Sequence, residues 1–187
     1  MDACIDQLRR EVQELRDREA IRELVARYGM AVDGRDLDAI GDCFALSGSF
    51  RYVDGSVDLQ GRQAVVGYYK QRLKLIGASY HYPHSQLMQF EGEGRAGGVV
   101  NAHAELALPT GDTAWVALRY NDRYVREAGS WRFDERAIAI IYYMKLAELS
   151  RGLASTDRKR VGGVPRAADL PEGLSSWKEF WGNDVPQ

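Results

Sequence analysis

Residues 21–44 read IRELVARYGMAVDGRDLDAIGDCF, and this stretch decides the fold. Ile21, Leu24, Val25, Tyr28 and Val32 recur at helical spacing, which makes one face apolar. The segment reads as the end of one amphipathic helix, a tight break and a second short helix. Gly34 is a good helix stop. Asp36 then caps a helix from Leu37 to about Ala45 that buries Leu37, Ile40 and Phe44. Asp33 is out of place. It falls in the last turn of the apolar helix, near the negative end of the dipole, among neighbours that predict an interior. An interior carboxylate requires a partner. The alternative is a solvated residue that opens the Gly34-Arg35 turn.

Upstream, Ile5, Leu8, Val12 and Leu15 follow 3-4-3 spacing, and Glu14 and Arg18 are spaced for an ion pair. Helix formers continue without a break, so residues 1–20 are expected to form a helical extension continuous with the first domain helix. Two heptads are too short to hold a coiled coil alone. The stripe is therefore expected to pack on the body or on a neighbouring subunit.

Downstream, Ser49 to Val53 reads as a strand, Asp54-Gly55 as a hairpin turn, and Ser56 to Leu59 as the return. Gly61 opens a third helix with Val65, Tyr69, Leu73 and Ile76 on one face. GASYHYPHSQ (77–86) is a connection. Four strand-like runs follow at Ser85–Glu91, Gly98–Leu108, Thr113–Arg126 and Ser130–Met144. Short turns between them predict an antiparallel meander. The sum is an α+β domain over 21–145, a curved mixed or antiparallel sheet wrapped by three helices around an apolar cavity. Residues 146–187 form a C-terminal arm, extended over Ser150 to Glu172. It ends in a short helix whose Trp177, Phe180 and Trp181 cover the cavity mouth or another subunit.

At 187 residues the chain makes one domain with attachments. A net charge of -2 with interspersed bases points away from nucleic acid and anionic membranes. No run of about 18 apolar residues offers a membrane span, and with Met1 followed at once by Asp2 no signal peptide is expected. Cys4 and Cys43 lack metal or redox spacing and read as reduced thiols in a cytoplasmic protein. GEGRAGG (92–98) falls in a hairpin, not ahead of a helix, so it is no phosphate loop.

The order of elements, headed by REAIRELVARYGMAVDGRDLDAIGDCF and continued by HYPHSQLMQF and LRYNDRYVREAGSWRF, resembles the SnoaL-like branch of the nuclear transport factor 2-like (NTF2-like) superfamily. The resemblance spans roughly residues 15–145 and implies the cone-shaped NTF2-like fold. That fold hosts lyases, isomerases, polyketide cyclases and noncatalytic binders. The pattern looks most like bile-acid dehydratases and lindane dehydrochlorinase, and more distantly scytalone dehydratase. In those families an Asp at the end of the first helix pairs with a His entering the third strand. The resemblance places the acid on Asp33, the base on His81 and an assisting Tyr on Tyr28. Bile-acid dehydratases also carry an Arg on the final strand and an acid on the fourth. This chain has Ile140 and Ala104 there, which implies a more apolar cavity. In ketosteroid isomerases the catalytic Asp falls where this chain has Tyr52, with Asp54 close by. Relatives form dimers or trimers, and a homo-oligomer, a trimer in preference to a dimer, is expected.

The expected chemistry is a cofactor-free elimination on a hydrophobic polycyclic or polyketide-like molecule. Isomerisation or cyclisation by the same base, or noncatalytic binding, are the alternatives. A neutral His accepts a proton near physiological pH, and a carboxylate on its other nitrogen fixes the tautomer. Tyr28 is the candidate donor to a leaving hydroxyl or enolate oxygen, or else packs in the core. Phe44, Phe50, Tyr52, Tyr69, Trp115, Tyr120, Ile140 and Tyr142 are candidates to line the cavity, with His84 and His103. His81, His84 and His103 have irregular spacing and no completing carboxylate, so no metal is expected.

Overall fold

The computed structural model describes residues 2–182. Met1 and residues 183–187, the outermost ends of the expected extension and arm, lie outside the described residues. A single 33-residue helix, α1 (Asp2–Gly34), opens the chain. Its last turns seal the core: Ile21 and Leu24 are fully buried, and Val25, Tyr28, Ala31 and Val32 nearly so. Its first half stands free, with Ile5, Leu8, Val12 and Leu15 exposed. The helix runs through Gly34, and Arg35 rather than Gly34 takes the left-handed conformation, at φ 60°. A non-glycine residue there costs about 1–3 kcal/mol. The Arg35 guanidinium bonds Ser79 Oγ (2.6 Å) and the carbonyls of Val32 (3.1 Å), Asp33 (3.2 Å) and Gly77, which offsets that cost.

Asp36 caps α2 by accepting from the Ala39 amide (2.9 Å), but α2 is short, Leu37–Asp42. Strand β1 (Phe44–Tyr52) begins earlier than Ser49, so Phe44 is the first residue of a strand and not the last of a helix. After the Asp54-Gly55 turn comes β2 (Asp58–Gln60), then α3 (Arg62–Arg72), whose Val65 and Tyr69 face inward with Leu73 of the 3-10 turn that follows. Strand β3 (Ser79–Phe90) absorbs most of the expected connection, and β4 (Arg95–Ala107), β5 (Thr113–Glu127) and β6 (Ser130–Lys145) complete the antiparallel meander. The single curved, unclosed sheet has the order β2-β1-β6-β5-β4-β3, with β1 parallel to β6 and every other pair antiparallel.

The expected short aromatic helix is α5 (Ser175–Trp181). Ahead of it, Ser150 to Glu172 is not an extended arm: it holds the end of α4 (Leu146–Gly152) and a 3-10 turn at Val161–Gly163. The cause is the length of β6. Its partner β1 stops at Tyr52 opposite Ile138, leaving the backbone groups beyond Ile138 without a strand. The tail supplies them. Asp169 Oδ2 accepts from the Ile140 amide (2.7 Å), and the amides of Asp169 and Tyr143 donate to Ile140 O (2.8 Å) and Arg158 O (2.9 Å). Buried Arg158 clamps the segment to Glu172 (2.7 Å) and to the carbonyls of Ser155, Ile141 and Leu170. Helix α5 presents Phe180 to solvent, and none of its residues lines the main cavity. Among the described residues no helix is long and apolar enough to cross a membrane.

Candidate active site

A cavity of about 260 Å³ opens between the concave face of the sheet, α1 and α3. Tyr28, Val32, Phe50, Tyr52, Tyr69, Tyr120, Leu118 and Ile138 form its walls, and His81 reaches into it. His81 lies inside β3, not in a loop ahead of the strand as expected from the Pro-containing run. Its cross-strand partner is Ala104. Ala104 and Ile140 both line the cavity, so the two positions that depart from the dehydratase pattern leave apolar surface beside the imidazole.

Asp33 and His81 meet. His81 Nδ1 lies 2.6 Å from Asp33 Oδ1, and the His81 amide donates to Asp33 Oδ2 at 2.8 Å. The Ser79 hydroxyl donates to Asp33 Oδ1 at 3.0 Å, and Arg35 holds Ser79. The acid thus receives three donors from one short stretch of β3. Partial burial pushes its carboxyl up, but the His81 and Ser79 hydrogen bonds outweigh this and hold it below 3.8. An ionised carboxylate only accepts, so the proton between the pair sits on Nδ1 and Nε2 carries the free lone pair. The imidazole side chain is 16% exposed.

Tyr28 stands on the next cavity wall. Its hydroxyl pairs with that of Tyr69, and its ring packs edge-on against Phe44, Tyr69, Tyr120 and Phe133. Burial pushes the Tyr28 phenol up to about 12, with Arg136 opposing, so it stays protonated as a donor. Beneath it lies a pair the sequence reading missed. Arg136, fully buried, donates to Asp122 through Nε (2.9 Å) and Nη2 (2.7 Å), and its guanidinium stacks 4.3 Å from the Tyr28 ring and 3.9 Å from that of Tyr120. Burial opposes its charge, but the Asp122 carboxylate more than offsets this and raises its pKa. Asp122 and Arg136 face each other on β5 and β6, but a count from the Glu127–Ser130 hairpin sets Asp122 opposite Glu135, because the bulge between Arg123 and Tyr124 shifts the register by one.

Other expected liners lie elsewhere. Phe44 packs in the core behind Tyr28. His103 and Trp115 point outward, because the inward positions of β4 and β5 are Ala102, Ala104, Val116 and Leu118. His84 Nε2 lies 2.6 Å from His103 Nδ1, and Tyr82, His103 and Trp115 stack on the same outer face. Tyr142 pairs with Ala117 and shares that side. Burial and the neighbouring His84 depress the His103 pKa below 6.5, against the pull of Glu105. These four residues are therefore corrected from cavity wall to outer face. Conversely, Tyr68, Arg72, Tyr143, Lys159, Val161 and Arg166 line the cavity without having been foreseen.

The fold recurs among solved structures. LinA matches with a TM-score of 0.69 at 21% identity, over 73% of this chain and 94% of that one. The hexachlorocyclohexane dehydrochlorinase LinA-type3 from Novosphingobium barchaimii matches at 0.68 and 18%, over 73% and 94%. A scytalone dehydratase-like protein from Novosphingobium aromaticivorans matches at 0.66 and 17%, over 70% and 88%. The SnoaL-like domain matches residues 13–137, a span holding Asp33, His81, Tyr28 and the Asp122–Arg136 pair. With two thirds of its length inside that match, the chain belongs to the SnoaL-like domain family, within the NTF2-like superfamily.

Proposed function

We propose that this protein is a lyase that eliminates water, or a comparable leaving group, from a hydrophobic ring-containing small molecule, with Asp33 and His81 as its proton-transfer dyad. The observation that carries the reading is the 2.6 Å contact between His81 Nδ1 and Asp33, with the rest of the ring in an apolar cavity. His81 Nε2 takes a proton from the carbon next to an electron-withdrawing group. The released electron pair forms the new double bond, and the leaving hydroxide departs from the neighbouring carbon. The imidazolium, stabilised by Asp33, returns its proton to make water. Proton balance is met within the site, and the step uses only these side chains.

Two structural neighbours bear names of eliminations, which favours this over other proton transfers. The Tyr28–Tyr69 hydroxyl pair favours the runner-up, isomerisation or cyclisation, because it offers hydrogen bonds to an enolate oxygen.

The test is solvent-deuterium exchange and product mass on a panel of bicyclic β-hydroxy ketones. Elimination gives a product lighter by one water; isomerisation gives exchange without mass loss. His81→Ala is expected to lower turnover by about 10²–10⁴. Full turnover in His81→Ala overturns the dyad, and neither turnover nor exchange with any member of the panel leaves a noncatalytic binding protein.

A further inference from the structure

The main cavity does not end at its aromatic walls. A second cavity of about 650 Å³ adjoins it and shares Arg72, Ile76, Tyr143 and Val161 as lining. Most of the charge at this junction is paired. Lys159 is occupied by Asp54 and by Asp169 Oδ2 (3.3 Å), and in the outer chamber Arg160 pairs with Glu148 (3.0 Å) and Lys145 with Asp112 (2.7 Å). Arg72 and Arg166 differ. Among the described residues, no carboxylate lies within 4 Å of either guanidinium, and neither donates a side-chain hydrogen bond. Arg72 is half-buried on the last turn of α3, and Arg166 is exposed. The Arg166 backbone is fixed by paired hydrogen bonds with Lys159 (2.8 and 3.1 Å).

A half-buried guanidinium without an acceptor is costly unless a ligand completes it. Half-buried Arg72 and exposed Arg166 both line the main cavity, and two such guanidiniums match the planar, bidentate demand of an oxyanion. We propose that Arg72 and Arg166 form an anion-binding site on the main cavity, where Arg72 borders the outer chamber. The ligand is then amphipathic, a ring body among the inner tyrosines and a carboxylate or phosphate held by the two arginines. This rests on the cavity being the substrate site and names the class of substrate. It also adds charge to the more apolar cavity expected from Ile140 and Ala104, because the cations come from α3 and the tail.

Three probes that share one ring test it: 2-naphthoate, 2-naphthyl phosphate and neutral 2-naphthol, titrated calorimetrically into the full chain at pH 7. At least one anion is expected to bind at least about tenfold more tightly than 2-naphthol, and the tighter anion assigns the group. Arg72→Gln and Arg166→Gln are each expected to weaken that anion by about tenfold while 2-naphthol stays within twofold, which also reports an intact cavity. Leu118→Trp, which fills the inner chamber, is expected to abolish binding of all three. His81→Ala is expected to remove turnover while the anion still binds at least about tenfold more tightly than 2-naphthol, so loss of the dyad reading and loss of this one are distinguishable. Equal affinity for all three probes overturns the proposal. So does equal weakening of anion and naphthol in the arginine variants, or anion binding that survives Leu118→Trp.

Discussion

Gly29 on α1 and His81 on β3 lie against each other so closely that a Cβ on Gly29 would sit 3.3 Å from His81 Cβ. The missing side chain is what lets the strand come near enough for Asp33, one helical turn later, to take both the ring and the amide of His81. A helical glycine costs roughly 1 kcal/mol relative to alanine, so its presence here is matched by the approach it permits.

Gly29→Val is therefore expected to leave the protein folded, since valine is also a better helix former, but to push β3 away from α1. A displacement of about 1 Å costs on the order of 10²-fold in turnover. The Nδ1 proton of His81 should exchange faster with solvent and lose its downfield NMR position. An unchanged Nδ1 resonance in Gly29→Val would show that the close approach is not what sets the dyad.

The Asp122–Arg136 pair predicts an asymmetric response. Removing one partner strands a charge with 0% exposure on both side chains. Asp122→Ala is expected to cost about 3–5 kcal/mol, read from urea unfolding. Replacing both by apolar residues, Asp122→Leu with Arg136→Met, is expected to restore part of that loss. A double variant no more stable than Asp122→Ala would show that the loss comes from the ring packing and from the Tyr124 hydroxyl that donates to Asp122 (2.9 Å), not from the stranded charge.

The head of the chain was legible because helix periodicity, a cap at Asp36 and an acid misplaced at Asp33 all bear on local structure. The meander was legible because its turns are short. What escaped depends on distant partners. Strand alternation separates Trp115 and His103 from Val116 and Ala104 but does not say which set faces the helices. The bulges between Ala117 and Leu118 and between Arg123 and Tyr124 shift the count further. The order of the tail is imposed by the free edge of β6, which no residue of 150–172 announces. Arg35 gives no signal at all: its role is set by Ser79 and Gly77, more than 40 residues away.

Assembly is expected to depend on the exposed N-terminal stripe. Leu8 is 59% exposed and Leu15 65%, two apolar residues on one face with no cover in the protomer. Leu8→Glu with Leu15→Glu is expected to lower the mass found by sedimentation toward that of a single chain, with the far-UV spectrum of the body retained. A wild-type chain that sediments as a monomer would remove this role for the stripe.

His103 on the outer face gives a pH dependence whose sign follows from burial. Burial and the proximity of His84 depress the folded pKa of His103 below its unfolded value of 6.5. The unfolded chain then binds the proton more readily, so stability contributed by neutral His103 is present above about pH 6.5 and is lost as the pH falls through the folded value. Thermal unfolding followed from pH 7.5 to 5 should show a falling midpoint with acid. His103→Gln should flatten that slope without changing the Asp33–His81 contact, which lies on the opposite face of the sheet. A slope of the same size in His103→Gln would place the sensitive group elsewhere.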